Sequence, residues 1–157
     1  MQVFVQDFKV VDARFEDVEP RLATGGETLF GEALGSTRSA HERITAKVGP
    51  KGWPTALGKT VEIRFGPVRR HGDWTLIAFS WEARGGGSLF PHLDADLEAA
   101  PFGPDQTMLT VRGTYDPPAG RPGRVVDDLV LHRIAESTIR AFLDALCAEF
   151  SESISPR

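Results

Sequence analysis

The sequence predicts an α+β fold in which one antiparallel sheet, solvated on one face, is covered on the other by a long helix near its C-terminal end. Three observations carry this expectation. Five segments between Gln2 and Tyr115 read as strands, and at least three of them alternate apolar and polar residues with a period of two, as half-buried strands do. From Gly123 to Phe150 the chain reads GRVVDDLVLHRIAESTIRAFLDALCAEF, with apolar residues at helical spacing. Proline and glycine clusters separate the segments, so the order is strand, two short helices, meander, long helix.

Taken in order, Gln2 to Val11 is rich in Val and Phe and predicts a first strand before the acidic break at Asp12. Phe15, Val18 and Leu22, then Leu29, Phe30, Ala33 and Leu34, fall at helical spacing and predict two short helices, 15–22 and 27–34, split by Gly25 and Gly26. Ser36 to Val48 fits either a helix or a strand. Gly49 to Pro54 is turn chemistry, and Trp53 within it reads as a lid packed on the core or as a gate over a cavity.

Beyond that loop, Val61, Ile63 and Phe65 alternate with Glu62 and Arg64 until Gly66-Pro67 is expected to break the run. Gly72-Asp73 closes a hairpin into Asp73 to Ala83, where Thr75, Ile77, Phe79, Trp81 and Ala83 share one face. Pro91 to Ala99 alternates Leu93, Ala95, Leu97 and Ala99 with His92, Asp94, Asp96 and Glu98. Thr107 to Tyr115 sets Leu109, Val111 and Tyr115 against Thr110, Arg112 and Thr114. Asp116-Pro117-Pro118 ends the last strand and leads into the predicted helix 123–150, followed by a tail, 151–157.

On that helix Val130, Leu131, Ile134, Ile139, Ala141, Phe142, Ala145 and Leu146 cover most of the circumference, while Arg133, Glu136, Arg140 and Asp144 form a narrow strip. Burial on more than one side, with the strip in solvent, is the expectation. About 28 residues at 1.5 Å each give about 42 Å, enough to cross a sheet of several strands.

With 157 residues the chain is expected to form a single domain, 1–157, with a core that needs no staples. A net charge of −4 argues against a nucleic-acid partner, because phosphate binding needs a clustered positive surface. The densest basic run, Arg69-Arg70-His71, reads as a solvated hairpin turn. No stretch approaches the 18–20 apolar residues of a membrane span and the start MQVFVQDFKV lacks a basic leader, so no membrane insertion and a cytoplasmic location are expected. Cys147, the only cysteine, reads as a packed or partly exposed structural thiol rather than a nucleophile.

Several groups invite chemistry. His92, Asp94, Asp96 and Glu98 share a strand face, which makes a metal site thinkable, but their apolar opposite face marks them as solvent-facing, and no metal is predicted. Asp128 and His132 lie four apart and could pair on the helix. There is no nucleophile, base and orienting-acid order with recognisable flanks, and no phosphate-cradling turn. Large side chains on the inward faces are the better candidates for lining a cavity: Phe65, Phe79, Trp81, Tyr115, Ile134 and Phe142, with Trp53 as their gate. Trp81 and Tyr115 carry polar tips suited to orienting a ligand.

The order of elements, together with Trp81-Glu82-Ala83, Leu89-Phe90-Pro91, Leu93 to Glu98, Leu109 to Pro118 with Gly120, and Leu131 to Leu143, resembles the START and Bet v 1-like superfamily, also called SRPBCC, in an uncharacterised bacterial branch. The likeness runs from Val61 to Phe150. It implies a helix-grip fold, a curved antiparallel sheet wrapped around the C-terminal helix, and a pocket for a small hydrophobic or amphipathic molecule between them. Five strands are legible where that superfamily has seven, so either Ser36 to Val48 holds strand structure or the grip is abbreviated. The leading functional reading is a non-catalytic binding protein without a cofactor. The alternative is an enzyme of the polyketide cyclase, aromatase or dehydratase type, with His132 and Tyr115 guiding proton transfer. A third is a closed-core interaction module, a homodimer through sheet or helix.

Overall fold

The computed structural model describes residues 2–23, 38–40, 43–48, 59–83, 92–116 and 128–154. Strand β1 (Val3–Val11) is followed by helix α1 (15–23), then β2 (Arg38–Ala40), β3 (Arg43–Val48), β4 (Lys59–His71), β5 (Trp74–Ala83), β6 (His92–Pro101), β7 (Thr107–Asp116) and the terminal helix α2 (Asp128–Ile154). Seven strands form one sheet in the order β1-β7-β6-β5-β4-β3-β2, antiparallel throughout. The undecided stretch Ser36 to Val48 therefore supplies β2 and β3, which complete the sheet. The second predicted short helix, 27–34, lies outside the described residues, as does the predicted helix start at 123–127.

The register lines the inner face up in cross-sheet rows. One row joins Ile63, Trp81, Leu93, Tyr115 and Val3; the next joins Phe65, Phe79, Ala95, Gly113 and Val5. Below these come Ile77, Leu97, Val111 and Asp7, then Arg70, Thr75, Ala99, Leu109 and Lys9. Period-two alternation made these faces legible, since a slip of one residue would turn every apolar side chain outward.

Two devices curve the sheet. Gly66-Pro67 does not end β4, as expected, but forms a β-bulge: the register shifts by one residue between Phe65 and Val68. A bulge leaves a residue outside the ladder, so a proline without an N–H is tolerated there. At Gly113, an added Cβ would lie 2.5 Å from the Asp94 carbonyl oxygen and 2.7 Å from the Ala95 Cβ. Only glycine lets β7 bend that closely onto β6.

Helix α2 runs along β1. Arg140 Nε donates to Asp7 Oδ2 at 3.0 Å, and Lys9 Nζ donates to Asp144 Oδ1. Four helical residues advance about 6 Å and two strand residues about 6.6 Å, so the two ion pairs fall in register. The polar strip is thus partly an interface, and the expectation that it faces only solvent is corrected. Its physical reason lies in β1, an edge strand that carries the inward charges Asp7 and Lys9 between Val5 and Val11. Burial on α2 also differs from expectation: among the described side chains Ala135, Thr138, Ile139, Phe142, Leu143, Leu146, Cys147 and Phe150 form one broad buried stripe, with Ala141 and Ala145 only half-buried. The helix also continues through 151–154, where a tail was expected.

The far end of the interior is plugged. Val18 and Leu22 of α1 are buried, Phe150 packs beneath the Arg21 guanidinium at 5.1 Å, and Thr107 Oγ1 donates to the Ala13 carbonyl at 2.7 Å. Arg70 pairs with Glu19 of α1, and His71 stacks on Trp74 at 4.2 Å. The basic run therefore closes a strand rather than forming a turn; Gly72, at φ 52°, begins the turn itself.

Candidate functional site

The opposite end of the interior is built differently. Trp81 and Tyr115 stand on the same row, separated by Leu93, close to the ends of β5 and β7. The first turns of α2 bring His132 beside Tyr115, its ring 6.4 Å from that of Tyr115 and inclined by 32°. Phe79, Trp81 and Phe142 form an aromatic cluster with ring centroids 5.3–6.1 Å apart, in tilted and edge-on arrangements that suit ring quadrupoles.

These residues are buried: Trp81 is 3% exposed, Tyr115 1% and Phe142 2%, while Phe65 is half-buried. The structure therefore brings Phe65, Phe79, Trp81, Tyr115 and Phe142 together on the inner face. The side chain of Ile134 and the whole of Trp53 lie outside the described residues.

The polar tips set this end apart. The Trp81 indole Nε1 and the His132 Nδ1 are buried without a hydrogen-bond partner. Each such atom costs roughly 1–3 kcal/mol of lost hydration. The other ring nitrogen of His132 sits 3.1 Å from Glu136 Oε1. His132 thus pairs along the helix with Glu136, while the side chain of Asp128, the partner expected from the sequence, lies outside the described residues.

At the plugged end the one comparable atom among the described residues is Arg21 Nη1, buried without a hydrogen bond. That cation already lies over Phe150, with its Nη2 4.0 Å from Glu149. Nearby, burial pushes the Cys147 thiol up to about 11, with Asp144 reinforcing the shift and Lys9 opposing it. Such a thiol is protonated and inert at neutral pH. Lys9 is itself raised above its usual range, chiefly by its hydrogen bond to Asp144.

The outer face of the sheet carries a separate, open groove of about 640 Å³, floored by small residues such as Gly66, Ala78 and Ser80 and rimmed by Phe4, Arg64 and Asp96. Neighbouring charges there are largely matched: Arg64 with Glu62 at 3.1 Å, Arg112 with Glu98 at 3.5 Å and His92 with Asp94 at 3.1 Å. His92, Asp94 and Glu98 of β6 accordingly pair on the outer face, and Asp96 lines the groove there.

Comparison with known proteins places this geometry. No protein-family model matches the chain, and no curated protein matches it in sequence. Solved structures do match over nearly its whole length. The ZhuI aromatase/cyclase from Streptomyces sp. R1128 superposes with a TM-score of 0.64 at 16% identity, covering 98% of this chain and 96% of that one. The fold is SRPBCC/Bet v 1-like. A START superfamily protein from Mycobacterium smegmatis matches with a TM-score of 0.62 at 14% identity, over 96% of this chain and 98% of that one. Norcoclaurine synthase from Thalictrum flavum gives 0.59 at 17%, over 97% and 88%. In that helix-grip frame Tyr115 and His132 meet at one end of the interior. No described helix is long and apolar enough to cross a membrane.

Proposed function

We propose that the protein binds a small hydrophobic or amphipathic molecule between the sheet and the N-terminal half of α2, without transforming it. The observation that carries this reading is the pair of buried polar atoms without partners, Trp81 Nε1 and His132 Nδ1, beside an aromatic wall of Phe79 and Phe142. An interior meant only to be packed would fill such positions with apolar groups or satisfy them. Here they stand where a ligand's polar atoms would replace lost water. Ile134 and Trp53 are assigned to the same lining, with Trp53 as a gate. The fold of an aromatase/cyclase and of a START superfamily protein agrees with a small-molecule role.

Native mass spectrometry and thermal shift of the full chain against lipid and aromatic libraries test the proposal. A ligand at a hundred times its Kd contributes about 2.7 kcal/mol, which raises the Tm by roughly 5–10 °C for a chain of this size. Failure of every library member to shift the Tm or to form a one-to-one complex would overturn it.

A further inference from the structure

The hydrogen-bonding roles of the two unpartnered atoms, the Trp81 N–H as a donor and His132 Nδ1 as an acceptor in the neutral imidazole, define what the ligand must carry. The Glu136 carboxylate only accepts, so the His132 Nε2 beside it at 3.1 Å carries the imidazole proton. In the neutral ring Nδ1 is then an acceptor, and it is buried without a partner. It calls for a donor from the ligand. The Trp81 indole can only donate, so it calls for an acceptor.

Their spacing follows from the sheet. Trp81 and Tyr115 are two strands apart on one row, about 10 Å between backbones, and His132 lies over the Tyr115 side. Around Trp81 the walls are the rings of Phe79 and Phe142. An anion fits badly at the His132 end, because Nδ1 offers a lone pair and the Glu136 carboxylate stands behind it.

On the reading given under Proposed function, we infer that the ligand is a neutral, flat apolar molecule with a hydroxyl at one end, donating to His132 Nδ1, and a carbonyl at the other, accepting from Trp81 Nε1. A carboxylate-bearing fatty acid does not meet these demands. Glu136 acts as the positioning residue that holds the histidine in its accepting tautomer.

Fluorescence titration of the full chain with four naphthalene probes tests this. 2-Acetyl-6-hydroxynaphthalene carries both groups; 2-acetyl-6-methoxynaphthalene lacks the donor; 2-ethyl-6-hydroxynaphthalene lacks the carbonyl; 6-acetyl-2-naphthoate replaces the hydroxyl with an anion. The first is expected to bind tightest, with each single loss weakening Kd by about five- to tenfold. The naphthoate should be weaker still. In His132→Phe the hydroxy and methoxy ketones should bind alike, and in Trp81→Phe the ketone and the ethyl compound should bind alike. Glu136→Gln, which can donate to Nε2, should shrink the preference for hydroxyl over methoxy. Because each comparison is a ratio of ligands within one variant, a general loss of stability does not imitate it. Equal binding of the hydroxy and methoxy ketones to the unaltered protein would overturn the inference and leave the binding function standing. Absence of binding by all four, with no hit in the libraries, would overturn both.

Discussion

The two ends of the interior are made from the same sheet and the same helix, yet they solve different problems. At the α1 end, Val18, Leu22, Leu109, Leu146 and Phe150 are buried to the last few per cent, Thr107 donates to the Ala13 carbonyl, and Arg21, whose Nη1 has no hydrogen bond, lies over the Phe150 ring near Glu149. Under the start of α2, comparably buried positions hold Trp81 and Tyr115, and His132 reaches in from the helix with one nitrogen held and one open. Close packing, with a cation over the Phe150 ring, dominates the first end. At the second, Trp81 Nε1 and His132 Nδ1 are costly unless something else completes their hydrogen bonds. The contrast separates the part of the chain that is closely packed from the part where buried polar atoms are left without partners.

The largest effect expected to sharpen this contrast is on stability. Phe150→Ala should cost about 3–5 kcal/mol by urea denaturation, since it opens a cavity beneath Arg21 that the plugged end cannot collapse. Trp81→Phe should stay within about 1 kcal/mol without ligand, because lost packing is offset by removal of an unsatisfied N–H. Equal costs at both sites would break the comparison. Next, Thr107→Val leaves the buried Ala13 carbonyl without its donor and should lower stability by about 1–3 kcal/mol, read from the same denaturation midpoint.

A smaller effect concerns alkaline pH. The Cys147 thiol rises from its ordinary 9.0 to about 11, chiefly because burial penalises the thiolate. Between those values the folded chain keeps a proton that the unfolded chain has lost, so stability is full below pH 9 and falls as pH rises towards 11. Lys9, also raised, acts with the same sign. Midpoints measured from pH 8 to 11 should decline, and Cys147→Ala should flatten part of that decline; a rise with pH would contradict the burial. Smallest of all, Arg140→Ala removes an exposed ion pair to Asp7 and should cost about 0.2–1 kcal/mol, less in high salt.

Much of the fold was legible because burial alternates with the strand period. The inward faces of β5, β6 and β7 follow directly from Thr75 to Trp81, Leu93 to Ala99 and Leu109 to Tyr115. Three features were not. Gly66-Pro67 looks like a terminator because local chemistry cannot distinguish a break from a bulge; only the partner strand β5, continuing past it, decides. Ser36 to Val48 lacked a clear period, and its strands are set by pairing with each other and with β4. The polar strip on α2 read as solvated since its partners, Asp7 and Lys9, stand more than 130 positions earlier in the chain.

The sequence by itself determined which side chains face inward, where the long helix lies and which aromatic residues are available to line an interior, because these follow from periods of 2 and 3.6 and from burial of apolar surface. Tertiary structure alone decided that Trp81 and Tyr115 share a row, that His132 comes to rest beside Tyr115, and that Glu136 holds one imidazole nitrogen while the other stays open. Those are distances between residues remote in the chain or choices between equivalent local partners, and hydrogen-bond geometry is fixed only once the sheet has curved around the helix.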